Sequence, residues 1–364
     1  MGSDIAAQVA SIGLDVAGPS LSPPADGWSW TLADLGTQRL TGLAVRALLE
    51  GSWDLTVPQA DALLDSHRHA MSRTLDHERA LVTIGQAFAA AGIVNVVLKG
   101  PAFAHPFYPD PSWRPFTDLD LLVPGDHWEH ACALLEELGY ARGQPEPRAG
   151  FDVRFGKAAE HVDQTGVTVD LHRTLVLGPF GLWIDPDALL ARTVPLPVGA
   201  REFHRLDDTG SLLHACLHAS LGWWPPTLLS LRDVAQIALL GDIDWDRFLT
   251  WTDQWRLHAV VVDAFRAVAR VLEVPPPVPV RAMLAAPVSR REQRLIACYR
   301  GAARYRGGPA LATLAAIPGL RAKLAYVHAL LVPDRRFLAA RSGDGEASYG
   351  RRWSVPIRWL MRRR

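Results

Sequence analysis

The segment Thr117-Asp118-Leu119-Asp120-Leu121-Leu122-Val123 decides the fold prediction. Its alternation predicts a strand, because successive side chains of a strand point to opposite faces. Asp118 and Asp120 then share one face, and Leu119, Leu121 and Val123 take the other. Two neighbouring carboxylates repel each other unless a cation lies between them, and such hard oxygen ligands suit Mg²⁺. The pair is therefore a candidate metal site.

A third carboxylate lies in the alternating run Val167–His172, which follows the turn Thr165-Gly166. Asp170 and His172 share one face of this predicted strand. If the strand adjoins the first one, Asp170 completes a three-carboxylate cluster. Such a cluster can hold two Mg²⁺ ions and support an in-line phosphoryl displacement. For His172 the residues leave three roles open: a metal neighbour, an acceptor-side group or a structural histidine.

The turn Leu98-Lys99-Gly100-Pro101-Ala102 offers a phosphate site. Gly100 permits close backbone approach, and Pro101 is suited to the first turn of a helix. The N-terminus of that helix presents free N–H groups to an anion, and Lys99 adds a point charge. Arg114, four residues before Asp118, either reaches a phosphate or pairs with a carboxylate to hold the loop.

These motifs together resemble the uncharacterised bacterial nucleotidyltransferase family of the polymerase-β superfamily. The resemblance rests on Lys99-Gly100, on Arg114 before Asp118-x-Asp120, on Leu138-Gly139-Tyr140 and on Asp170-Leu171-His172. It covers residues 93–172 most firmly. It implies an α+β fold, with a small mixed sheet and helices on one side of it. The superfamily's usual Gly-Ser phosphate turn is here Lys99-Gly100, so the serine contact is absent.

The resemblance also implies an activity, the transfer of a nucleoside monophosphate from an NTP, with release of pyrophosphate. ATP is the expected NTP, and Mg²⁺ the expected cofactor in a two-ion site. Asp118 and Asp120 would hold the metals, and Asp170 would bind the catalytic metal and help to deprotonate the acceptor hydroxyl. Lys99, Gly100 and Arg114 would bind the nucleotide. The acceptor, a small molecule, a peptide or a protein, is not identified.

Hydrophobic periodicity divides the chain into three regions. Residues 1–91 are predicted to be helical, residues 92–205 to form the α/β core, and residues 206–364 to form a second helical module with a basic tail. In the first region helices are expected over Thr31–Leu49 and Pro58–Ala91. In the core, strands are expected over Ile93–Leu98 and, more weakly, over Gly150–Gly156 and Glu160–Gln164.

The amino-acid composition limits the classes of binding partner and the cellular compartment that are expected for this protein. Lys and Arg total 38 and so do Asp and Glu, which removes the strong positive field expected of a general nucleic-acid binder. Three distant cysteines fit neither a disulfide framework nor a paired metal site, so a reducing cytoplasm is expected. The longest uncharged run, Ala80–Leu98, is interrupted by Gln86, Gly92 and Asn95. It is therefore not expected to span a membrane.

Other classes of protein share single sequence features with the nucleotidyltransferase interpretation. A glycosyltransferase also uses an Asp-x-Asp motif, but it would need a nucleotide-binding α/β half before the motif, where this chain is helical. A degenerate nucleotidyltransferase fold that binds a nucleotide or a partner without turnover stays open. His214 and His218 lie one helical turn apart, but Ala215 replaces the glutamate of a zinc peptidase. These histidines are expected to line the groove between the modules or to form core hydrogen bonds.

Overall fold

The computed structural model describes residues 2–14, 21, 27–222, 224–300 and 308–341. The basic tail expected at residues 351–364 lies outside these ranges. Among the helices of the described ranges, none is both long enough and apolar enough to cross a membrane.

Helices make up the N-terminal region, in the order α1 (Gly2–Ser11), α2 (Trp28–Thr37), α3 (Thr41–Leu49) and α4 (Val57–Ala90). The long helix α4 begins as its sequence predicts, with Pro58 in the first turn and the Thr56 N–H donating to the Gln59 side chain at 3.0 Å. The predicted helix over Thr31–Leu49 is two helices, which are separated where Arg39 takes a left-handed conformation with φ 57°.

The strands form one mixed sheet of seven in the described part of the chain, in the order β3-β4-β5-β2-β1-β7-β6. They are β1 (Val96–Leu98), β2 (Leu119–Leu122), β3 (Ala141–Arg142), β4 (Ala158–Val162), β5 (Thr168–His172), β6 (Thr193–Val198) and β7 (Arg201–Leu206). The central strand β2 runs antiparallel to β1 and parallel to β5. Its register pairs Asp120 with Asp170, so the two carboxylates are direct neighbours on one face, as the sequence predicts.

Helices connect these strands and continue after them. Those within the core are α5 (Gly100–Phe107), α6 (Trp128–Glu137), α7 (Asp152–Phe155), α8 (Pro179–Trp183) and α9 (Pro186–Leu190). Those that follow are α10 (Asp208–Leu221), α11 (Leu228–Leu240), α12 (Trp245–Gln254), α13 (His258–Val271), α14 (Val278–Ala285), α15 (Arg290–Arg300), α16 (Gly308–Ala316), α17 (Leu320–Leu331) and α18 (Arg335–Arg341).

Both faces of the sheet are covered, whereas the resemblance implied helices on one side. Val97 and Leu121 pack with apolar residues of α4 and α6. Val96, Leu98 and Leu122 face the opposite way, into a larger core built from α1–α3, α5 and α10–α13. The second layer exists because the N-terminal and C-terminal helices share one apolar core, and burial of that shared surface favours their packing together on the sheet.

Two segments differ from the sequence prediction. Gly150–Gly156, expected as a weak strand, contains the short helix α7. The hairpin of β6 and β7 was not predicted, because Pro195 and Pro197 disfavour a strand. Both prolines are exposed on β6, the edge strand, where a missing N–H breaks no ladder bond, while Leu196 and Val198 are buried.

A close approach of α3 fixes the loop that leads into the site. A Cβ built on Gly42 would lie 2.2 Å from the carbonyl oxygen of Ser112 and 2.6 Å from the Cα of Trp113. These are backbone atoms of the 3₁₀ turn directly before Arg114. The absence of a side chain at Gly42 therefore lets the helix pack directly on this turn.

We expect Gly42→Ala to lower the free energy of unfolding by about 1–3 kcal/mol, because the turn must move to admit a methyl group. The control is Gly36→Ala in α2, where a Cβ meets nothing within 4 Å and the change should raise stability by up to about 1 kcal/mol. Urea unfolding of both variants measures the difference. Equal stability of the two would show that the close approach places no constraint on the fold.

Candidate active site

The turn between β1 and α5 presents Lys99 and Gly100 as expected. Both residues have positive φ, 34° for Lys99 and 37° for Gly100. A Cβ on Gly100 would meet only ordinary contacts, at 3.4 Å from Phe116, so the backbone conformation rather than lack of space favours glycine there. For Lys99 this conformation is strained, and such strain persists only where the surroundings impose it.

Asp120 is the centre of the site. Its side chain is 1% exposed, and its Oδ1 atom lies 2.9 Å from Nζ of Lys99 and 2.7 Å from Nε2 of His172. The other carboxylate oxygen, Oδ2, is buried and has no hydrogen-bond partner among the described residues. Burial alone would raise the pKa of Asp120, but the Lys99 ammonium and the His172 hydrogen bond hold that pKa well below its ordinary value. One oxygen of an ionised carboxylate is thus left for a ligand.

His172 joins the carboxylates in a compact cluster. Ligand atoms of Asp120, Asp170 and His172 all lie within 4.8 Å of one another. The second ring nitrogen of His172 is 3.0 Å from the carbonyl oxygen of Thr174. Both ring nitrogens of His172 are therefore engaged, Nε2 by the Asp120 carboxylate and Nδ1 by the carbonyl oxygen of Thr174. Of the roles left open for His172, a place beside the candidate metal ligands agrees best with this geometry.

Asp118 is not part of the compact cluster, although the alternation of β2 predicted it beside Asp120. It lies just before the strand, is about one-third exposed, and has its Oδ1 atom 3.7 Å from Nη1 of Arg39. Its charge still acts on Lys99. The expected convergence of three carboxylates is therefore a pair with a histidine, and Asp118 lies at the rim.

The charges of the cluster influence one another. Burial raises the pKa of Asp170, and the negative charge of Asp120 raises it further. Burial also opposes the charged form of Lys99, but Asp120 and then Asp118 outweigh it and raise the pKa of Lys99. Asp170 is thus the more basic of the two central carboxylates.

The side chain of Arg114 contacts Asp233 and the turn between β1 and α5. Its Nε and Nη2 atoms donate to the two carboxylate oxygens of Asp233, both at 2.7 Å, and Nη1 donates to the carbonyl oxygen of Gly100 at 3.2 Å. Tyr108 also donates to Asp233, at 2.8 Å. The guanidinium of Arg114 is buried and bound to Asp233, which corresponds to the second role that the sequence left open, pairing with a carboxylate to hold the loop. Asp233 could not be assigned this role from sequence, because its partner lies 119 residues away.

His214 and His218 approach the site from α10. The ring of His214 is edge-on to Phe103 at 6.0 Å between centroids, and its buried Nδ1 atom has no hydrogen-bond partner in the part of the chain that the structure describes. Burial holds the pKa of both histidines well below the ordinary value, and the Lys99 charge lowers it further. Within the described residues, neither belongs to the compact ligand cluster of Asp120, Asp170 and His172. They are neutral groups facing the site from the C-terminal helices.

Two basic residues near the site were missed in the sequence. Arg39 lies between two N-terminal helices, and only the fold brings it to Asp118. Lys157 directly precedes β4 and interacts electrostatically with Lys99, Asp120 and Asp170. The position of Lys157 just before a weakly predicted strand was the one sequence feature that could have pointed to a role near the site. The sequence did not show that this strand, β4, pairs with β5.

We expect Asp233→Asn to lower the free energy of unfolding by about 3–5 kcal/mol, because Arg114 would keep a buried charge without its partner. The control is Asp76→Asn, which removes an exposed ion pair with Arg79 and should cost at most about 1 kcal/mol. Urea unfolding measures both. An effect as small in Asp233→Asn as in the control would contradict the buried pair's role.

Comparison with known proteins places this site in a family. No curated protein gives a significant match to the chain. The sequence model of a family described as "Uncharacterised nucleotidyltransferase" matches residues 24–273, which is more than half of the chain. The match extends beyond residues 93–172 and takes in the whole sheet and the helices from α2 to α13. The chain therefore belongs to this family of uncharacterised nucleotidyltransferases, as the motifs around Asp120 predicted.

Proposed function

We propose that this protein is a Mg²⁺-dependent nucleotidyltransferase that transfers a nucleoside monophosphate from an NTP, with ATP as the expected donor, to an acceptor. The observation that carries the proposal is the buried Asp120 carboxylate, one oxygen of which has no partner in the described part of the chain and lies inside a compact group of metal-type ligands. Membership of a nucleotidyltransferase family supports the same assignment.

The donor set suits a divalent cation. Asp120 and Asp170 offer carboxylate oxygens, which Mg²⁺ prefers, and His172 lies beside them with its Nε2 atom engaged by Asp120. We assign Asp120 and Asp170 to the cation, with Asp118 at the rim as a ligand for a second ion. When bound there, the cation supplies charge stabilisation to the reacting phosphate as pyrophosphate leaves.

The remaining roles belong to the protein's own groups. Lys99 and backbone N–H groups at the start of α5 would bind the triphosphate. Arg114, fixed by Asp233, holds the Gly100 carbonyl and so orients this turn. Asp170 would accept the proton of the acceptor hydroxyl, a role favoured by its raised pKa.

The acceptor would bind between the sheet and α10, where His214 and His218 face the site. A small molecule, a peptide or a protein fits this proposal better than a nucleic acid, because the chain has no net positive charge. We place the activity in the cytoplasm, in keeping with the free cysteines Cys132, Cys216 and Cys298.

A second candidate function is a nucleotide- or partner-binding module without turnover. It is favoured by the two contacts that already engage Oδ1 of Asp120, from Lys99 and His172. A divalent cation must compete with these groups. The Lys99-Gly100 turn in place of Gly-Ser agrees with this alternative as well.

We expect isothermal titration of the protein with ATP and Mg²⁺ to show binding that weakens about tenfold or more in Asp120→Asn, because the carboxylate loses its charge and part of its affinity for the cation. The control is Asp126→Asn, an exposed position on the turn after β2. Circular dichroism checks that both variants fold. Unchanged binding in Asp120→Asn would remove the metal assignment.

The reaction itself is tested with two radioactive labels. We expect label from α-³²P-ATP to appear on a component of a host extract, and label from γ-³²P-ATP to leave as pyrophosphate, because attack at the α-phosphorus retains only the α-phosphate. Asp170→Asn should abolish the transfer. Transfer of the γ label would identify a kinase instead, and binding of ATP without any transfer would favour the binding module.

A further inference from the structure

Lys157 lies beside the proposed site and is not among the residues to which the proposed reaction assigns a role. It directly precedes β4, and its neighbour Ala158 pairs with His172 of the metal-type cluster. Its carbonyl oxygen accepts a hydrogen bond from the Arg173 N–H at 2.9 Å, so its backbone is tied to the end of β5. The side chain therefore begins from a fixed position next to the carboxylates.

The charge of Lys157 is not paired. In the described part of the chain no carboxylate oxygen lies within 4.0 Å of its ammonium, whereas Lys99 contacts Asp120 directly. Lys157 nevertheless acts electrostatically on Lys99, Asp120, Asp170 and Asp118. Burial lowers the pKa of Lys157, and the positive charge of Lys99 lowers it further. The fold thus holds two mutually repelling ammonium groups at one site, at a cost in stability.

The composition of the chain makes this placement unusual. Among its 38 basic residues only three are lysines, Lys99, Lys157 and Lys323, and the other 35 are arginines. Two of the three lysines stand at the same site. Lysine carries a compact point charge that binds phosphate without the planar geometry of arginine. An unpaired lysine beside a second one is the arrangement that a polyphosphate anion would neutralise.

We propose that Lys157 and Lys99 form a two-lysine site for the triphosphate of the nucleotide. This inference rests on the proposed function and assigns the leaving-group side of that reaction. As the acceptor oxygen bonds to the α-phosphorus, the bond from that phosphorus to the bridging oxygen breaks. Pyrophosphate leaves with the electron pair, and the acceptor proton passes to Asp170. Lys157 stabilises the negative charge that grows on the departing pyrophosphate.

The test is Lys157→Met in the full chain, with Lys323→Met on α17 as the matched control. Isothermal titration uses inorganic tripolyphosphate, ATP with Mg²⁺, and adenosine as separate probes. We expect Lys157→Met to bind tripolyphosphate and ATP about tenfold more weakly, with adenosine affinity unchanged. Its urea midpoint should stay level or rise, because the variant removes an unpaired, desolvated charge.

A second measurement does not depend on a variant. Modification of the wild-type protein with an amine-reactive reagent, followed by mass spectrometry, reports on all three lysines. Tripolyphosphate should protect Lys99 and Lys157 and leave Lys323 reactive. Equal protection of Lys323, or none at Lys157, would overturn the inference.

The outcomes separate this inference from the proposed function. If the wild type binds ATP and Lys157→Met binds ATP and tripolyphosphate equally well, the two-lysine site is wrong and the nucleotidyltransferase proposal stands. If Lys157→Met unfolds at a clearly lower urea concentration, the lysine is structural and the inference fails. If the wild type binds no ATP, both the two-lysine site and the proposed function fail.

Discussion

A buried, ionised carboxylate at Asp120 is the constraint around which the site is built. Taking a charge out of water costs several kcal/mol unless partners compensate for it. Lys99 and His172 provide that compensation, and both do so at the same carboxylate oxygen. The three groups come from the ends of β1, β2 and β5, so those strands must adjoin in one register. The central sheet order is thereby tied to the electrostatics of a single side chain.

The helices outside the sheet maintain this arrangement. The strained turn at Lys99 and Gly100 is held by Arg114, and Arg114 is held by Asp233 on α11. The loop that carries Arg114 is in turn fixed by the close approach of α3 at Gly42. The N-terminal and C-terminal helices therefore contribute to the site through contacts with its supporting turn. Their shared apolar core gives these contacts a stable base.

The charge balance of the site explains which ligands it suits. The carboxylates of Asp120 and Asp170 lie near the ammonium groups of Lys99 and Lys157, and among the described residues no carboxylate oxygen lies within 4.0 Å of the Lys157 ammonium. A divalent cation must compete for Asp120, whereas a polyphosphate meets unpaired positive charge. A divalent cation bound together with a nucleoside triphosphate suits this site. The cation adds positive charge beside the carboxylates, and the triphosphate adds negative charge beside the lysines.

Local pattern was sufficient for many of the elements and for several site residues. Alternation placed Asp120 and Asp170 on strands, and the Lys99-Gly100-Pro101 spacing placed the turn before α5, because these features depend on neighbours a few residues apart. The motifs also predicted the family. Three features were decided only by the tertiary structure. The pairing of β4 with β5 brings Lys157 to the site. The compact cluster contains His172 where Asp118 was expected, and Arg114 pairs with Asp233. Each of these depends on contacts between distant segments, and the energy of burying charge is determined only when those segments meet.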